Sequence, residues 1–365
     1  MRKQHLKIIL AATTAVAMLS SSDVAQGAAA GNSLEQASER QIKVFILAGQ
    51  SNMEGKAPNA LFDHQSTDAK TKDLFAHLRQ DDQWIVRDDV FIKFLDRKGP
   101  LSVGYGSPGR TGVELEFGTA MGNHFEEPVL LIKAAWGGHS LYKLFRSPSA
   151  GYPAAVVLQK ELAQAQAKVK KDNEKNRKND PLPTMQDIQR DYGSSYRNMM
   201  AEVKDVMDNY ATMFPSLEGQ TLALAGFVWF QGWNDQYGAE NEYESNMKHF
   251  IRDVRQDLHT AKLPFVIGVM GQNGSKPATG AMLTIQHAQL AMNDVPEFKG
   301  NVQAIRTDVL IDRAAAELYP TWQKNFEDWK LTGGDHPYHY LGSAIWFNRI
   351  GQAMGEAMIG LTAKK

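Results

Sequence analysis

Four short blocks of the chain carry residue types that together suit acyl transfer. They are "GQSNMEG" with Ser51, "WGGHS" with Gly137, Gly138 and His139, "QGWND" with Gln231, Trp233, Asn234 and Asp235, and "GGDHPYHYLGSA" with Asp335, His336 and His339. A serine hydroxyl is a weak nucleophile until a base takes its proton. Histidine is the usual base, because its unperturbed pKa lies near neutrality. A carboxylate behind the imidazole fixes its tautomer and stabilises the imidazolium. The tetrahedral oxyanion then needs preorganised donors, either backbone N–H groups or a side-chain amide. Ser51, His339, Asp335, the glycine turn and Asn234 are the residues that fit those roles. Taken singly each is a weak signal, since serines and glycine pairs are ordinary in turns. Their order along the chain is what raises them.

That order is set by the elements that precede each block. Five short apolar runs, "KVFILAG", "PVLLIKAAWGG", "LAGFVWFQG", "LPFVIGVMG" and "NVQAIRTD", read as strands buried on both faces, as in a parallel sheet. Helical patterns lie between them. Tyr196, Met199, Met200, Val203, Val206 and Tyr210 share one helical face, and so do Tyr243, Met247, Phe250, Ile251, Val254 and Leu258. "SAIWFNRIGQAMGEAM" forms a last helix. Strands alternating with helices predict an α/β fold with a five-stranded parallel sheet. In open sheets of this kind ligands bind beyond the carboxyl ends of the strands. Three of the four blocks follow strands, and the fourth precedes the last helix. The stretch between the second and third runs is longer than a crossover needs and predicts a helical insertion at about 145–215.

The blocks "GQSNMEG", "GWND" and the late "HYLG" resemble those of SGNH hydrolases. Together with "AAWGG" and "FVWFQGWND" they resemble most closely the sialate O-acetylesterase-like group, which includes carbohydrate esterase family six. The resemblance covers most of the chain after its first segment. It implies a three-layer, flavodoxin-like SGNH fold, a serine esterase mechanism and acetyl esters on carbohydrates as substrates. It gives Ser51 the nucleophile position and one oxyanion donor, and His339 the base position. Gly137 or Gly138 takes the second donor position. Asn234 matches the asparagine of "GxND", and Gln231 matches the glutamine of "QGE". Two positions depart from the pattern. The superfamily's acid stands three residues before the histidine, where this chain has His336, and Asp335 stands four before. The glutamate of "QGE" is replaced by Trp233. Asp335 is therefore the leading acid, Asp235 and Asp308 are secondary candidates, and a Ser–His dyad is left open.

Other residues near these blocks have plainer readings. His336 and His339 are spaced as two metal ligands, but no third ligand with suitable spacing accompanies them. No metal and no cofactor is expected. His139 is a substrate contact or a satisfied surface histidine. Glu114 and Glu116 are a carboxylate pair of the kind glycosidases use, without a partner that the sequence places. Trp136, Trp229 and Trp233 lie near the blocks. Trp229 falls inside a strand and reads as core, and Trp233 is the better platform for a sugar ring.

Composition sets the outer bounds. The chain has 365 residues, 43% hydrophobic and 22% charged, with a formal net charge of −1 and no cysteine. A large core is available without disulfides. No basic, aromatic-interleaved stripe suggests nucleic-acid binding. "MRKQHLK", "IILAATTAVAML" and "SSSDVAQGAAA" follow the basic, apolar and small-residue order of a signal peptide, with cleavage expected between Gly27 and Ala30. This divides the chain into residues 1–27 and one hydrolase domain at 28–365, exported to the periplasm or outside the cell and without stable membrane association. A retained N-terminal anchor is the alternative. The leading reading is an exported carbohydrate O-acetylesterase acting on acetylxylan, another polysaccharide or sialic acid. The alternatives are a non-catalytic carbohydrate-binding protein, an SGNH esterase for lipid or aryl esters, and a nucleotide-binding enzyme. The last lacks both the dinucleotide glycine spacing and a phosphate-loop lysine. Oligomeric state is not readable.

Overall fold

The computed structural model describes residues 41–363. The expected signal peptide lies outside the described residues. Residues 41–363 contain a seven-stranded sheet. In chain order its strands are β1 (Gln41–Gly49), β2 (Val90–Phe94), β3 (Arg97–Pro100), β4 (Val129–Ala135), β5 (Thr221–Phe230), β6 (Phe265–Val269) and β7 (Val302–Arg306). The spatial order is β7-β6-β5-β1-β4-β2-β3. All neighbouring pairs are parallel except β2 and β3, which form an antiparallel hairpin at one edge.

The five runs read as strands are β1, β4, β5, β6 and β7. The sheet is two strands wider than expected. β2 is a five-residue apolar stretch just after a charged one, and β3 reads "RKGP". As an edge strand, β3 alternates exposed and half-buried residues and lacks the apolar run of a central strand.

Helices cover both faces of the sheet. In β1, Ile42, Val44, Ile46 and Ala48 face one layer and Phe45 and Leu47 the other. The first layer comprises α5 (Ser194–Met213), α6 (Tyr243–Asp257) and α7 (Gly280–Leu290). The second comprises α2 (Glu114–His124) and α8 (Ala344–Thr362). Each fully buried Val, Leu, Ile or Phe contributes about 1.5–3 kcal/mol relative to exposure, so the two faces of the sheet dominate stability. Among the described residues no helix is long and apolar enough to cross a membrane.

The segment at 145–215 divides in two. Its last helix, α5, packs Tyr196, Met199, Val203 and Val206 onto the sheet and is the crossover from β4 to β5. The part that stands apart is α3 (Ala155–Asn176) and α4 (Met185–Asp191), which share a small core of Leu158, Ile188 and Tyr192.

Candidate active site

Ser51 opens the one-turn helix α1 (Ser51–Glu54) directly beyond β1. The glycines around it have separate causes. A Cβ on Gly49 would stand 2.1 Å from the Phe230 carbonyl oxygen, because the ends of β1 and β5 converge there. Gly55 has φ +93° and would meet the Gly112 backbone at 2.5 Å. The turn is held from below by Lys133 of β4, which is fully buried. Its ammonium donates to the Glu54 carbonyl, the Tyr105 carbonyl and the Glu114 carboxylate, each at 2.8 Å, so all three N–H groups have partners. Burial pushes the Lys133 ammonium below its ordinary pKa, against the pull of Glu114.

His339 lies within hydrogen-bond reach of the serine, with its Nε2 3.0 Å from Ser51 Oγ. The Asp335 carboxylate lies 3.1 Å from the other ring nitrogen, Nδ1. That ring N–H is not aimed at the carboxylate, so the contact is an ion-pair distance without an aligned hydrogen bond. Asp335 also accepts the His336 N–H at 2.7 Å and an Arg110 N–H at 3.2 Å. Burial opposes its charge. His339, the His336 N–H and Arg110 nevertheless hold the carboxyl below its ordinary value.

The loop that presents His339 has an unusual backbone. Tyr340 (φ +51°), Leu341 (φ +60°) and Gly342 (φ +57°) are consecutive left-handed residues. The buried Tyr340 hydroxyl accepts the Gly271 N–H at 2.9 Å and lies 2.8 Å from Thr307 Oγ1, tying the loop to the ends of β6 and β7. Asn52, next to the serine, donates to the Tyr338 carbonyl at 3.1 Å.

Three donor groups of these turns have no partner among the described residues: the Ser51 N–H, the Gly138 N–H and the Asn234 side-chain NH2. Asn234 is oriented by Gln50, which donates to its Oδ1 at 3.0 Å and accepts the Gly232 N–H at 3.2 Å. The amide NH2 is thereby left for another acceptor.

Several expected members are engaged elsewhere. The Gly137 N–H donates to Glu54 Oε1 at 2.7 Å and is not available to an oxyanion. Glu54 also accepts from Lys56 at 2.6 Å and from Ser107 at 3.1 Å. Burial works against its charge, yet Lys56, the Gly137 N–H and Ser107 hold its carboxyl below the ordinary value. Gln231 commits both amide hydrogens, to Asp235 at 2.6 Å and to the His139 carbonyl at 3.1 Å, while its own oxygen accepts from Tyr243. It supports the loop and has no hydrogen left for an oxyanion.

Neither secondary acid touches His339. Asp235 is buried, and burial pushes it up to about 6 although it accepts the Leu141 and Tyr142 N–H groups and Gln231. Asp308 pairs with Arg306. His139 meets Ser195 Oγ at 2.7 Å and stacks on Trp136, and burial lowers its pKa against a weaker pull from Glu54. Trp233 is half-buried beside Tyr338, and Trp229 is core. His336 meets the Tyr319 hydroxyl, and among the described residues no group of three or more His, Asp or Glu side chains forms a cation site. Glu114 holds Lys133, while Glu116 takes His77 and Asn348.

Sequence reasoning missed Gln50, Asn52, Glu54, Arg110 and Tyr340. The first three stand inside the quoted "GQSNMEG" block, so proximity to Ser51 was the available signal. Arg110 had none.

A family model described as carbohydrate esterase, sialic acid-specific acetylesterase, matches residues 41–171 and 183–314. Among solved structures, a protein of Arabidopsis thaliana aligns at 15% identity with a TM-score of 0.48, covering 88% of this chain and 98% of the other. A carbohydrate acetylesterase from Xanthomonas citri aligns at 14% identity with a TM-score of 0.46, covering 88% of this chain and 57% of the other. No curated protein matches the chain.

Proposed function

Because the chain belongs to the sialic acid-specific acetylesterase family of carbohydrate esterases, we propose that it is an exported serine esterase that removes O-acetyl groups from a carbohydrate through an acetyl-enzyme. The observation that carries this reading is the 3.0 Å approach of His339 Nε2 to Ser51 Oγ, with Asp335 behind the ring. With the ring proton on Nδ1, Nε2 accepts the serine proton as Oγ attacks the acetyl carbonyl carbon. The oxygen that becomes negative is held by the Ser51 N–H, the Asn234 amide and the Gly138 N–H. Collapse of the intermediate breaks the ester C–O bond, and His339 returns the proton to the departing sugar oxygen. Water then attacks the acetyl-serine with His339 again as base, releasing acetate and restoring the serine. Asp335, held charged by His339, the His336 N–H and Arg110, stabilises the imidazolium in both steps.

The test is acetate release from acetylated xylan by the wild type and by Ser51→Ala. Release by the wild type alone, with equal melting temperatures, is the expected result. Equal release by both would remove Ser51 from the mechanism. If neither acts on xylan, other acetylated polysaccharides, acetylated sialic acid and aryl acetates follow, and inertness of the folded protein toward all of them would overturn the esterase reading in favour of a binding role.

A further inference from the structure

The turn after β4 passes close to the serine: a Cβ on Gly137 would stand 3.6 Å from Ser51 Cβ. His139 lies two positions further on, next to Gly138, whose N–H has no partner among the described residues. Its imidazole is fixed from three directions. The Trp136 indole stacks on it at 19°, with ring centroids 6.2 Å apart. Phe145 packs against it with centroids 6.3 Å apart. Ser195, on the first turn of α5, brings its Oγ to 2.7 Å from Nδ1. The backbone is held as well, because Gln231 donates to the His139 carbonyl at 3.1 Å.

Ser195 is buried, and its hydroxyl has no acceptor other than Nδ1 among the described residues. A buried hydroxyl left without an acceptor is costly, so Ser195 donates to Nδ1. A neutral imidazole has one donor and one acceptor nitrogen, which puts the ring proton on Nε2. Nε2 has no partner among the described residues and is open to solvent. Burial lowers the pKa of the ring against a weaker pull from Glu54, which favours the neutral form near neutrality. The result is a single uncharged N–H donor, held in one orientation close to the serine turn. Such a donor suits the oxygen of a neutral hydroxyl. It carries no charge with which to select a carboxylate or a sulfate.

We infer that His139 is a specificity residue whose Nε2–H binds a hydroxyl oxygen on the carbon next to the ester, and that Ser195 is a positioning residue that sets its tautomer. The inference rests on the reading of the chain as a carbohydrate O-acetylesterase. The preferred substrate is then a partly acetylated sugar, in which the carbon beside the acetyl ester carries a free hydroxyl. An ester that lacks the hydroxyl leaves the Nε2–H without its partner once water is displaced. A site built to bond a hydroxyl discriminates against the analogue without it in this way.

The experiment compares 2-hydroxycyclohexyl acetate, in its cis and trans forms, with cyclohexyl acetate, which differs by that one hydroxyl. 4-Nitrophenyl acetate serves as the ester with neither. The wild type is expected to favour at least one hydroxy ester in kcat/KM. His139→Ala and Ser195→Ala should each shrink that preference about three- to tenfold, the worth of one hydrogen bond, with the melting temperature as the control for folding. His139→Gln, whose amide donates from nearly the place of Nε2, should keep most of it. The hydroxyl's own effect on ester reactivity is common to all the variants and cancels between them. In the wild type, the ring-nitrogen NMR shifts of His139, assigned by their loss in His139→Ala, should show a neutral ring protonated on Nε2 at about pH 8. A proton on Nδ1 would overturn the part given to Ser195 whether or not its variant folds, and so would a preference that Ser195→Ala keeps in full. The same preference in the wild type and in His139→Ala, or activity on the aryl ester with none on either hydroxy ester, would overturn the role of His139 while leaving the esterase intact. Inertness toward every one of these esters would mark failure of the esterase reading itself.

Discussion

Glu54 stands one turn after Ser51 and holds the Gly137 N–H, one of the two glycine donors that the sequence offers to an oxyanion. A carboxylate beside a developing negative charge is unfavourable by itself, so its value must lie in what it fixes. It fastens the turn after β4 to the turn after β1, and leaves the next N–H, on Gly138, unengaged. Glu54→Ala is expected to lower kcat on an aryl acetate by about ten- to a hundredfold, the scale of a small misplacement of reacting groups. Glu54→Gln should keep most of the activity, because an amide oxygen accepts the same N–H. An alanine variant as fast as the wild type or faster would show the carboxylate to be an obstruction. At this scale the sequence makes Ser51 and His339 legible, because their chemistry is written in residue type. Gln50, Asn52 and Gln231 were not separable by type. Three amide side chains stand beside the same turns, and only their partners distinguish an orienting Gln50 from a loop-bracing Gln231.

Among the elements, the loop at 335–342 is the one whose backbone works hardest against local preference. A left-handed conformation costs a non-glycine residue about 1–2 kcal/mol, and Tyr340 and Leu341 both adopt it. Buried contacts offset this, chiefly the Tyr340 hydroxyl between Gly271 and Thr307. Tyr340→Phe leaves the Gly271 N–H without its acceptor and should cost about 1–3 kcal/mol in urea unfolding. It should also lower kcat, since His339 is the adjacent residue. A variant with unchanged stability would show that the hydroxyl does not anchor the loop. No sequence signal marks this turn, because left-handed residues are ordinarily glycine or asparagine. The strands were more legible. Central strands are apolar on both faces and announce themselves, whereas the hairpin β2–β3 sits at an edge where one strand is half exposed. Length alone does not tell a crossover from its decoration, whereas the packing of helix α5 on the sheet does.

For the molecule as a whole, the site is coupled to stability through its ionised groups. The Asp335 carboxyl is depressed in the folded state, with burial opposing and His339, the His336 N–H and Arg110 prevailing. Such a group contributes stability that is present in full above its unfolded pKa, about 3.9, and lost as pH falls through the lower folded value. Asp335→Asn should therefore melt below the wild type at pH 7, and the gap should close as the pH is taken below about 4. A gap that is constant across that range would assign the loss to shape and not to charge. The alternating strand and helix pattern was enough to read the α/β class, since burial on both faces of a parallel sheet leaves a mark in composition.

Ser51 and His339 are separated by 288 positions in the chain and by one hydrogen-bond length in space. Translation at about 5–20 residues per second puts roughly 15 to 60 s between the synthesis of the two. On the proposed mechanism the serine is without its base through that interval, and every product of translation interrupted before His339 lacks it as well. The proposed mechanism thus makes hydrolytic competence a late event in the making of each molecule. In a refolding experiment it should return no earlier than the docking of the last helix, and its appearance would report that the two ends of the fold have met.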